Sequence, residues 1–376
     1  MERFTTLKAL IEDCGARGPR PAVIAFGDSA ATWSYGEIGA HALRLASGLK
    51  RKGVSRLEPV LLWAPNSPEW IVAYFATVCA GALAVPFNDL AGGRELAHVV
   101  RDCGCQRVFT VARHVGELRA LEGGDRLEII LLDAATETGA AADAGVAPWR
   151  GLMAPQAALP ELGPGDPASL LYTSGTTGVP KGVPLTHRNF LANLEAVLAH
   201  DLAGPSDRVF LPLPLHHAYA FTVGLLAAFG TGAALVLPAG LSGPQMTAAL
   251  KGGRASILIG VPRLYTALIA GIMARVKARG RVIWMLFGAL LAASIWLSRR
   301  TGVHAGRYLF AGLHRQIGPS LRIVASGGAR LDADTAWTLE GLGWTVLTGY
   351  GLTETAPLLT FSAPKRRRVG TEGFAT

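Results

Sequence analysis

The chain has 376 residues, of which 50% are hydrophobic and 17% are charged, so it can bury a sizeable core and is not intrinsically disordered. Its formal net charge of +9 favours anionic partners such as nucleotides or acidic lipid surfaces. No nucleic-acid-binding motif accompanies this charge, so we expect no nucleic-acid partner. Four cysteines give no disulfide framework in a chain this long, and the N-terminus has no signal-peptide core. We therefore expect a cytoplasmic protein.

Predicted strands and helices alternate along the chain. In the first part, strands are predicted over 22–26, 32–35, 59–63, 82–86, 107–110 and 127–132, and helices over 1–20, 35–53, 69–81, 95–102 and 115–121. In the second part, strands are predicted over 170–172, 208–213, 233–237, 255–260, 321–325 and 345–347, and helices from 187, over 225–229, from 262 and over 332–342. This alternation predicts an α/β fold with doubly wound parallel sheets. Residues 134–159, rich in Ala, Gly and Pro, are expected to form a surface excursion.

The stretch LLYTSGTTGVPKG, residues 170–182, is the strongest motif in the sequence. A short apolar run predicts a strand, and a turn rich in glycine and hydroxyl groups follows it. Glycines let a backbone approach a ligand closely, while hydroxyls donate hydrogen bonds and Lys181 adds a positive charge. This combination is suited to a polyphosphate, although its spacing is not that of the Walker loop.

The motif resembles the signature loop of the acyl-adenylate-forming superfamily, which includes acyl-CoA synthetases, luciferases and peptide-synthetase adenylation domains. The earlier pieces TWSYGEI, APNSPEW and AGALAVPFN also resemble motifs of that family. The resemblance implies a large N-terminal domain of two doubly wound subdomains, over 1–160 and 161–376. It also implies that the signature loop binds ATP, through Thr173, Ser174, Gly175, Thr176, Thr177, Gly178 and the catalytic Lys181.

Two further segments follow predicted strands, where ligands bind in open α/β sheets. In ASGGARL, residues 325–331, small residues allow a flat ring to lie against the backbone. The resemblance makes Gly328, Ala329 and Arg330 one wall of an adenine pocket. A plain turn between strand and helix is the competing interpretation.

The segment TGYGLTET, residues 348–355, joins an aromatic ring, glycines, a hydroxyl and a carboxylate. Tyr350, with Gly349 and Gly351 beside it, can stack on adenine, and Thr353 can donate to the α-phosphate. Glu354 can hold Mg²⁺ through oxygen, the ligand that this hard cation prefers. We expect this segment and Lys181 to converge on one magnesium nucleotide.

Two adjacent histidines lie between prolines and a tyrosine in PLPLHHAY, residues 212–219. A histidine is more often structural than functional. In the family that the chain resembles, a histidine of this element lies beside the acyl pocket. Alignment on the surrounding pattern selects His217 as a catalytic residue and leaves His216 as the less favoured of the pair.

The implied reaction is activation of a carboxylic acid, most like a long-chain fatty acid, by ATP and Mg²⁺ to acyl-AMP, followed by transfer to CoA. One alternative is an adenylating enzyme that loads a carrier protein or an amine. An amino-acid-activating domain should offer an Asp near 217–224, and none is present. The other alternative is a non-catalytic nucleotide- or acyl-binding remnant.

The apolar stretch VIWMLFGALLAASIWLS, residues 282–298, is flanked by basic residues on both sides. It could be a buried helix, a helix lying in a membrane face, or a membrane span. A single span would separate the two nucleotide-binding motifs, which favours burial or peripheral membrane contact over a span. Residues 365–368, KRRR, are expected to form a solvated loop, and a nuclear signal is a weak alternative.

The later Thr-Gly-Asp motif and the mobile C-terminal domain of the resembled family have no counterpart in this sequence. We therefore expect a truncated chain: a fragment, one half of a split gene with a separately encoded C-terminal domain, or a degenerate protein with impaired turnover.

Overall fold

A computed structural model describes residues 3–27, 30–133, 145–174, 178–363 and 369–375. Its strands are β1 Pro21–Ala25, β2 Ala31–Ser34, β3 Pro59–Trp63, β4 Leu83–Pro86, β5 Arg107–Thr110, β6 Glu128–Leu131, β7 Val146–Pro148, β8 Pro167–Ser174, β9 Pro180–Thr186, β10 Arg208–Phe210, β11 Ala234–Leu237, β12 Ile257–Gly260, β13 Ile323–Ser326, β14 Thr345–Gly351, β15 Leu358–Phe361 and β16 Phe374–Ala375. They form two sheets, with the orders β7-β6-β5-β3-β4-β8-β9 and β16-β15-β14-β13-β12-β10-β11-β1-β2.

The helices alternate with the strands along most of the chain. They are α1 Leu7–Ala16, α2 Tyr35–Arg51, α3 Pro68–Cys79, α4 Gly93–Cys103, α5 Val115–Arg119, α6 Trp149–Leu152, α7 His187–Leu198, α8 Ala227–Thr231, α9 Gly243–Gly252, α10 Pro262–Lys277, α11 Arg281–Thr301, α12 Gly306–Leu309, α13 Ala311–Ile317 and α14 Ala333–Leu342. A π-helical segment, Ala220–Leu226, precedes α8. The predicted α/β fold is thus confirmed.

The seven-stranded sheet is parallel except at one edge, where β9 runs antiparallel to β8. Its central strand β3 is buried from Val60 onward, which explains its unbroken apolar sequence. Helix α3 begins at the N-cap Ser67, whose hydroxyl accepts from the Trp70 amide, with Pro68 at the first helical position. This α3 is buried along its whole length.

In the nine-stranded sheet, strands β11, β10, β12, β13 and β14 are parallel neighbours. Strands β15 and β16 then add antiparallel at the edge beyond β14. Helix α14 packs on this sheet through an apolar core that includes Trp344, Leu339 and Tyr265. Because β13 and β14 are parallel, their carboxyl ends lie side by side.

By internal contacts the chain divides into two compact units. The first unit holds Met1–Val23, Thr32–Glu195 and Pro214–Phe221, and the second holds Ile24–Ala31, Ala196–Leu213 and Thr222–Thr376. These units interleave along the sequence and differ from the predicted ranges 1–160 and 161–376. The predicted domain limits stay a prediction.

Three local expectations require correction. Of the expected excursion over 134–159, residues 134–144 lie outside the described residues, but 146–152 form β7 and α6, with Trp149 buried. A strand that the sequence analysis did not predict, β9, follows the signature turn and forms because it pairs along its full length with β8. Strand β14 extends through Gly351, so Tyr350 lies on a strand and not in a loop after it.

Candidate functional site

In the first unit, the signature motif forms an antiparallel hairpin of β8 and β9. Thr173 lies directly opposite Lys181, and Ser174 lies opposite Pro180. The Lys181 side chain is exposed and has no hydrogen bond or ion pair to the described residues. Gly178 is described, exposed and in the left-handed region, at φ 79°. The predicted phosphate-binding residues Gly175, Thr176 and Thr177 lie outside the described residues.

Helix α4 anchors both strands of this hairpin. The Tyr172 hydroxyl on β8 donates to Asp102 Oδ2 at 2.6 Å, and partial burial together with this bond raises the pKa of Tyr172. On β9, His98 Nε2 lies 2.9 Å from the Pro180 carbonyl oxygen. Gly182 lies under the Leu170 side chain, which a Cβ at this position would approach to 2.9 Å, so the Leu170 side chain would have to shift. These contacts fix the strand that carries Lys181.

A polar cleft opens beside the start of β9 and was not predicted from the sequence. It is lined by Arg94, Glu95 and His98 of α4 and by residues 178–180. Arg94 has no partner among the described residues and is exposed. The sequence signal was weak, because Arg94 precedes the start of the signature motif at Leu170 by 76 residues and follows an ordinary glycine turn.

The two adjacent histidines His216 and His217, in the first unit, differ in exposure. His217 is exposed, whereas His216 is half-buried, and their ring centroids lie 4.1 Å apart. Burial and the nearby His217 lower the pKa of His216 to about 3, so His216 is neutral at physiological pH. The Leu215 amide donates to Asn66 Oδ1 at 2.8 Å, which ties this segment to the loop before α3. The geometry leaves His217 free to contact a ligand, as the sequence predicts, but does not test that role.

In the second unit, the other two predicted segments lie on neighbouring parallel strands. Ser326 at the end of β13 pairs with Thr348 on β14. The Ser326 hydroxyl is buried without a hydrogen-bond partner among the described residues, and Gly328 has φ 76°. Ala329 and Arg330 follow it and are exposed. The sheet thus brings the predicted adenine wall beside the segment 348–351.

The segment around Tyr350 is held rigidly while its functional side chains stay free. Tyr350 is 50% exposed. A Cβ at Gly351 would lie 1.4 Å from the Pro357 carbonyl oxygen, so only glycine fits the approach of that chain. Gly349 also faces the neighbouring strand, where a Cβ would lie 3.1 Å from the Thr360 carbonyl oxygen. Thr353 is half-buried.

Thr355 and Thr222 stabilise the turn that carries Glu354. The Thr355 hydroxyl lies within hydrogen-bond distance of the Leu352 and Pro357 carbonyl oxygens, and the Leu352 amide donates back to that hydroxyl. The buried Thr222 hydroxyl, in the π-helical segment, donates to the Ala356 carbonyl at 3.1 Å. Sequence reasoning missed Thr222, because nothing local indicates a contact 134 residues away.

The donor set fits a magnesium ion bound mainly through a nucleotide. Glu354 is exposed and has no partner among the described residues. Within the described ranges, no group of three or more His, Cys, Asp or Glu could hold a metal ion. A single carboxylate with water and phosphate oxygens is the usual protein contribution to such a Mg²⁺ site.

An α/β sheet with glycine-rich turns and free polar side chains at its strand ends defines a nucleotide-binding class of protein. The model of the AMP-binding enzyme family matches residues 11–376, so the chain belongs to this family. This match confirms the family resemblance seen in the sequence.

Relatives of known function are acid–CoA ligases. The chain is 29% identical to a feruloyl-CoA synthase of an Amycolatopsis species over 359 residues, covering 94% of this chain and 61% of the relative. It is also 29% identical to the peroxisomal long chain acyl-CoA synthetase 6 of Arabidopsis thaliana over 343 residues, covering 87% of this chain and 48% of the relative. The chain therefore spans only about half to three fifths of the length of these relatives.

A solved structure shows the same fold. The anthranilate CoA ligase AuaEII in complex with anthranoyl-AMP superposes with a TM-score of 0.75 at 21% identity, covering all of this chain and 64% of that one. That relative holds an acyl adenylate, and its likeness to this chain shows a shared fold. None of these comparisons tests the predicted site residues individually, so the roles of these residues stay predictions.

Proposed function

We propose that the chain carries the nucleotide- and acid-binding part of an AMP-forming acid–CoA ligase. The single observation that supports this most is the pairing of β13 with β14, which puts the end of β13, before the glycine turn at Gly328, beside Thr348 of the segment that carries the exposed Tyr350. In the proposed reaction, a carboxylate oxygen attacks the α-phosphorus of ATP and pyrophosphate leaves. A CoA thiol then attacks the acyl carbon and releases AMP.

The proposed role of each site residue follows from its exposure and its charge. Tyr350 stacks on adenine, and the open backbone at Gly328 admits the flat ring. Lys181 neutralises phosphate charge, and Thr353 donates to the α-phosphate. Glu354 would hold Mg²⁺, which would supply positive charge to offset that of the phosphate oxygens. The protein contributes little covalent chemistry in this proposal, because positioning of the reactants and neutralisation of phosphate charge supply most of the lowering of the activation barrier.

We assign the acid to the apolar, long-chain class. A cleft in the second unit lies between the sheet and the segment 220–231, and almost all of its lining is aliphatic or aromatic. Its lining includes Val209, Val223, Ile257, Ile323 and Phe361. Burying a methylene chain there is favourable by about 0.8 kcal/mol for each CH₂ group. The long chain acyl-CoA synthetase relative supports this class, whereas the feruloyl and anthranilate enzymes support an aromatic acid.

ATP–pyrophosphate exchange tests both the reaction and the acid. The panel contains short, medium and long fatty acids, ferulate, anthranilate and an amino acid, with the chain alone and with any segment encoded downstream of it. We expect exchange that increases with fatty-acid length. Faster exchange with ferulate would replace the long-chain assignment by the aromatic one. Absence of exchange with every acid in both arrangements would reject the ligase proposal and favour a non-catalytic binding protein.

A variant of the cleft separates acid binding from nucleotide binding. Val223→Trp fills the cleft with a larger side chain, and we expect it to weaken exchange with long acids more than tenfold while ATP binding is unchanged. Equal losses for short and long acids would show that the cleft does not hold the acyl chain.

A further inference from the structure

A helical hairpin of the second unit exposes a large apolar surface. Helices α10 and α11 are joined by residues 278–280, where Gly280 has φ 108°. The first five residues of the apolar stretch, Val282 to Leu286, are all between 38% and 69% exposed. Of the placements that the sequence leaves open for this stretch, a buried helix disagrees with this exposure. By length and composition α11 is the one helix among the described residues that could cross a membrane, and only 17% of its apolar window is buried.

Only one narrow face of α11 packs on the protein. Leu291, Ser294 and Ser298 are buried, and the Ser294 hydroxyl donates to the Gly341 carbonyl on α14 at 2.7 Å. A Cβ at Gly341 would lie 2.4 Å from Ile295, so the two helices are in close contact there. The first turns of α11 extend beyond this contact, and their large side chains face solvent.

Basic side chains surround the exposed residues. We define the hairpin tip as residues 275–286; it holds four exposed basic residues, Arg275, Lys277, Arg279 and Arg281, beside the apolar run. No Asp or Glu occurs between Asp207 and Asp332 in the whole sequence. None of the four basic side chains forms an ion pair with a described residue, so the tip combines apolar side chains with unpaired positive charge.

This charge decides between the possible occupants of the tip. A second copy of the chain would bring one basic cluster against another in either a parallel or an antiparallel pairing of α11, because Arg299 and Arg300 lie at its other end. An anionic lipid surface instead accepts both features at once, since apolar side chains enter the acyl boundary and basic groups contact the headgroups. Trp284, which is exposed, is typical of that boundary.

We propose that the hairpin tip docks on a membrane surface containing anionic phospholipid, with residues 282–286 inserted and the four basic side chains at the headgroups. This docking goes beyond the proposed ligase function and is independent of it. An apolar acid dissolved in the membrane would be close to the protein when it is docked.

Vesicle flotation of the 376-residue chain tests the docking without any catalytic readout. The vesicles contain phosphatidylcholine alone or with about 30% phosphatidylglycerol, at about 50 and about 500 mM salt. We expect binding to the anionic vesicles at low salt that weakens at high salt. A variant with Arg275, Lys277, Arg279 and Arg281 all changed to Gln should lose about 100-fold or more in partitioning, since each basic residue near the surface contributes about fivefold.

Matched variants separate position from charge and apolarity. The control variant changes four exposed basic residues of the first unit to Gln, namely Arg20, Arg51, Lys52 and Arg101. It removes the same charge as the tip variant and should lose less than about tenfold in partitioning to the vesicles. Trp284→Ser, Met285→Ser and Leu286→Ser together should abolish binding, whereas Leu90→Ser, at a leucine that is 90% exposed, should not. Leu286→Ser alone serves if the triple variant unfolds.

Several outcomes would overturn the proposal. These are equal binding to neutral and anionic vesicles, binding that both tip variants retain, and no binding at all. A dimer that Leu286→Ser dissolves would identify a second copy as the occupant. Resistance to alkaline extraction together with protease protection of residues 282–298 would identify a membrane span.

Discussion

At the scale of single residues, the candidate site separates side chains that are free from side chains that hold the backbone. Lys181, Tyr350 and Glu354 are exposed, and their neighbours Tyr172 and Thr355 are engaged in hydrogen bonds. Within each unit taken by itself, the side chains with predicted ligand roles are thus exposed, on backbone that the hydrogen bonds of neighbouring residues hold in place. Two predictions belong to this scale.

Lys181→Ala should weaken ATP binding about 10- to 100-fold without lowering thermal stability. The Lys181 ammonium has no partner among the described residues, so its loss removes only its attraction to phosphate. Isothermal titration with Mg-ATP and a thermal melt measure the two effects. Lys251→Ala, at another exposed lysine of the chain, is the control and should change neither. Unchanged ATP affinity in Lys181→Ala would remove this lysine from the site.

Gly351→Ala should destabilise the protein by about 2 kcal/mol or more. The added methyl group would collide with the Pro357 backbone carbonyl, which cannot move without shifting β15. Gly271→Ala is the control, because its Cβ meets open space in the exposed middle of α10 and alanine is the better helix former by up to about 1 kcal/mol. In denaturant titration, the unfolding midpoint should therefore fall for Gly351→Ala and rise for Gly271→Ala. An unchanged midpoint for Gly351→Ala would refute the close approach of Gly351 to the Pro357 carbonyl.

At the scale of elements, contacts distant in sequence position the candidate site. Strand β9 contains two prolines and is paired only because β8 lies beside it, and the π-helical segment reaches the 352–356 turn through one hydroxyl. Sequence patterns identify central strands such as β3 and β5, whose bounds match the predicted 59–63 and 107–110. They identify the edge strand β2 but not the edge strands β7, β9 and β16, because pairing across an edge depends on which chain segment arrives there.

Thr222→Val should weaken nucleotide binding although Thr222 touches no predicted ligand. The substitution keeps the shape but removes the hydrogen bond to the Ala356 carbonyl, at a cost of about 1 to 2 kcal/mol, and frees the turn that carries Glu354. Thr77→Val is the matched control, since the Thr77 hydroxyl is equally buried and donates to Ala73 within α3 of the first unit. We expect both variants to lose stability and only Thr222→Val to lose affinity for Mg-ATP. Equal affinities would limit Thr222 to a structural role.

At the scale of the whole molecule, buried neutral histidines make the fold sensitive to acid. Burial lowers the pKa of His187 to about 4, and its Nδ1 accepts the Leu7 amide at 3.1 Å. In the unfolded chain a histidine titrates near 6.5, so the unfolded state binds more protons between pH 6.5 and 4. Stability is therefore present above pH 6.5 and is lost as the pH falls toward 4. His216, whose pKa is lowered to about 3, acts in the same direction.

His187→Asn should reduce the loss of unfolding free energy that the protein shows at acid pH. A shift of this size corresponds to about 3 kcal/mol lost between pH 6.5 and 4, and asparagine retains an oxygen acceptor for the Leu7 amide without titrating. Urea denaturation midpoints measured at pH 7 and pH 4.5 check the expectation. His200→Asn, at an exposed histidine, should leave the pH dependence of the midpoint as it is. If the urea midpoint of His187→Asn fell as much between pH 7 and pH 4.5 as that of the parent chain, the assignment of acid sensitivity to His187 would be wrong.

The sequence by itself determined the α/β class, most central strands and the family. Buried parallel strands and glycine-rich turns have local sequence patterns, which can be recognised without knowing the strands or helices that pack against them. Only the tertiary structure decided that β13 and β14 end side by side, that α4 holds the signature hairpin, and that α11 is exposed. The stretch 282–298 shows the physical reason. Its apolar composition is equally compatible with a core and with a lipid surface, and only the position of α14 determines which face is covered.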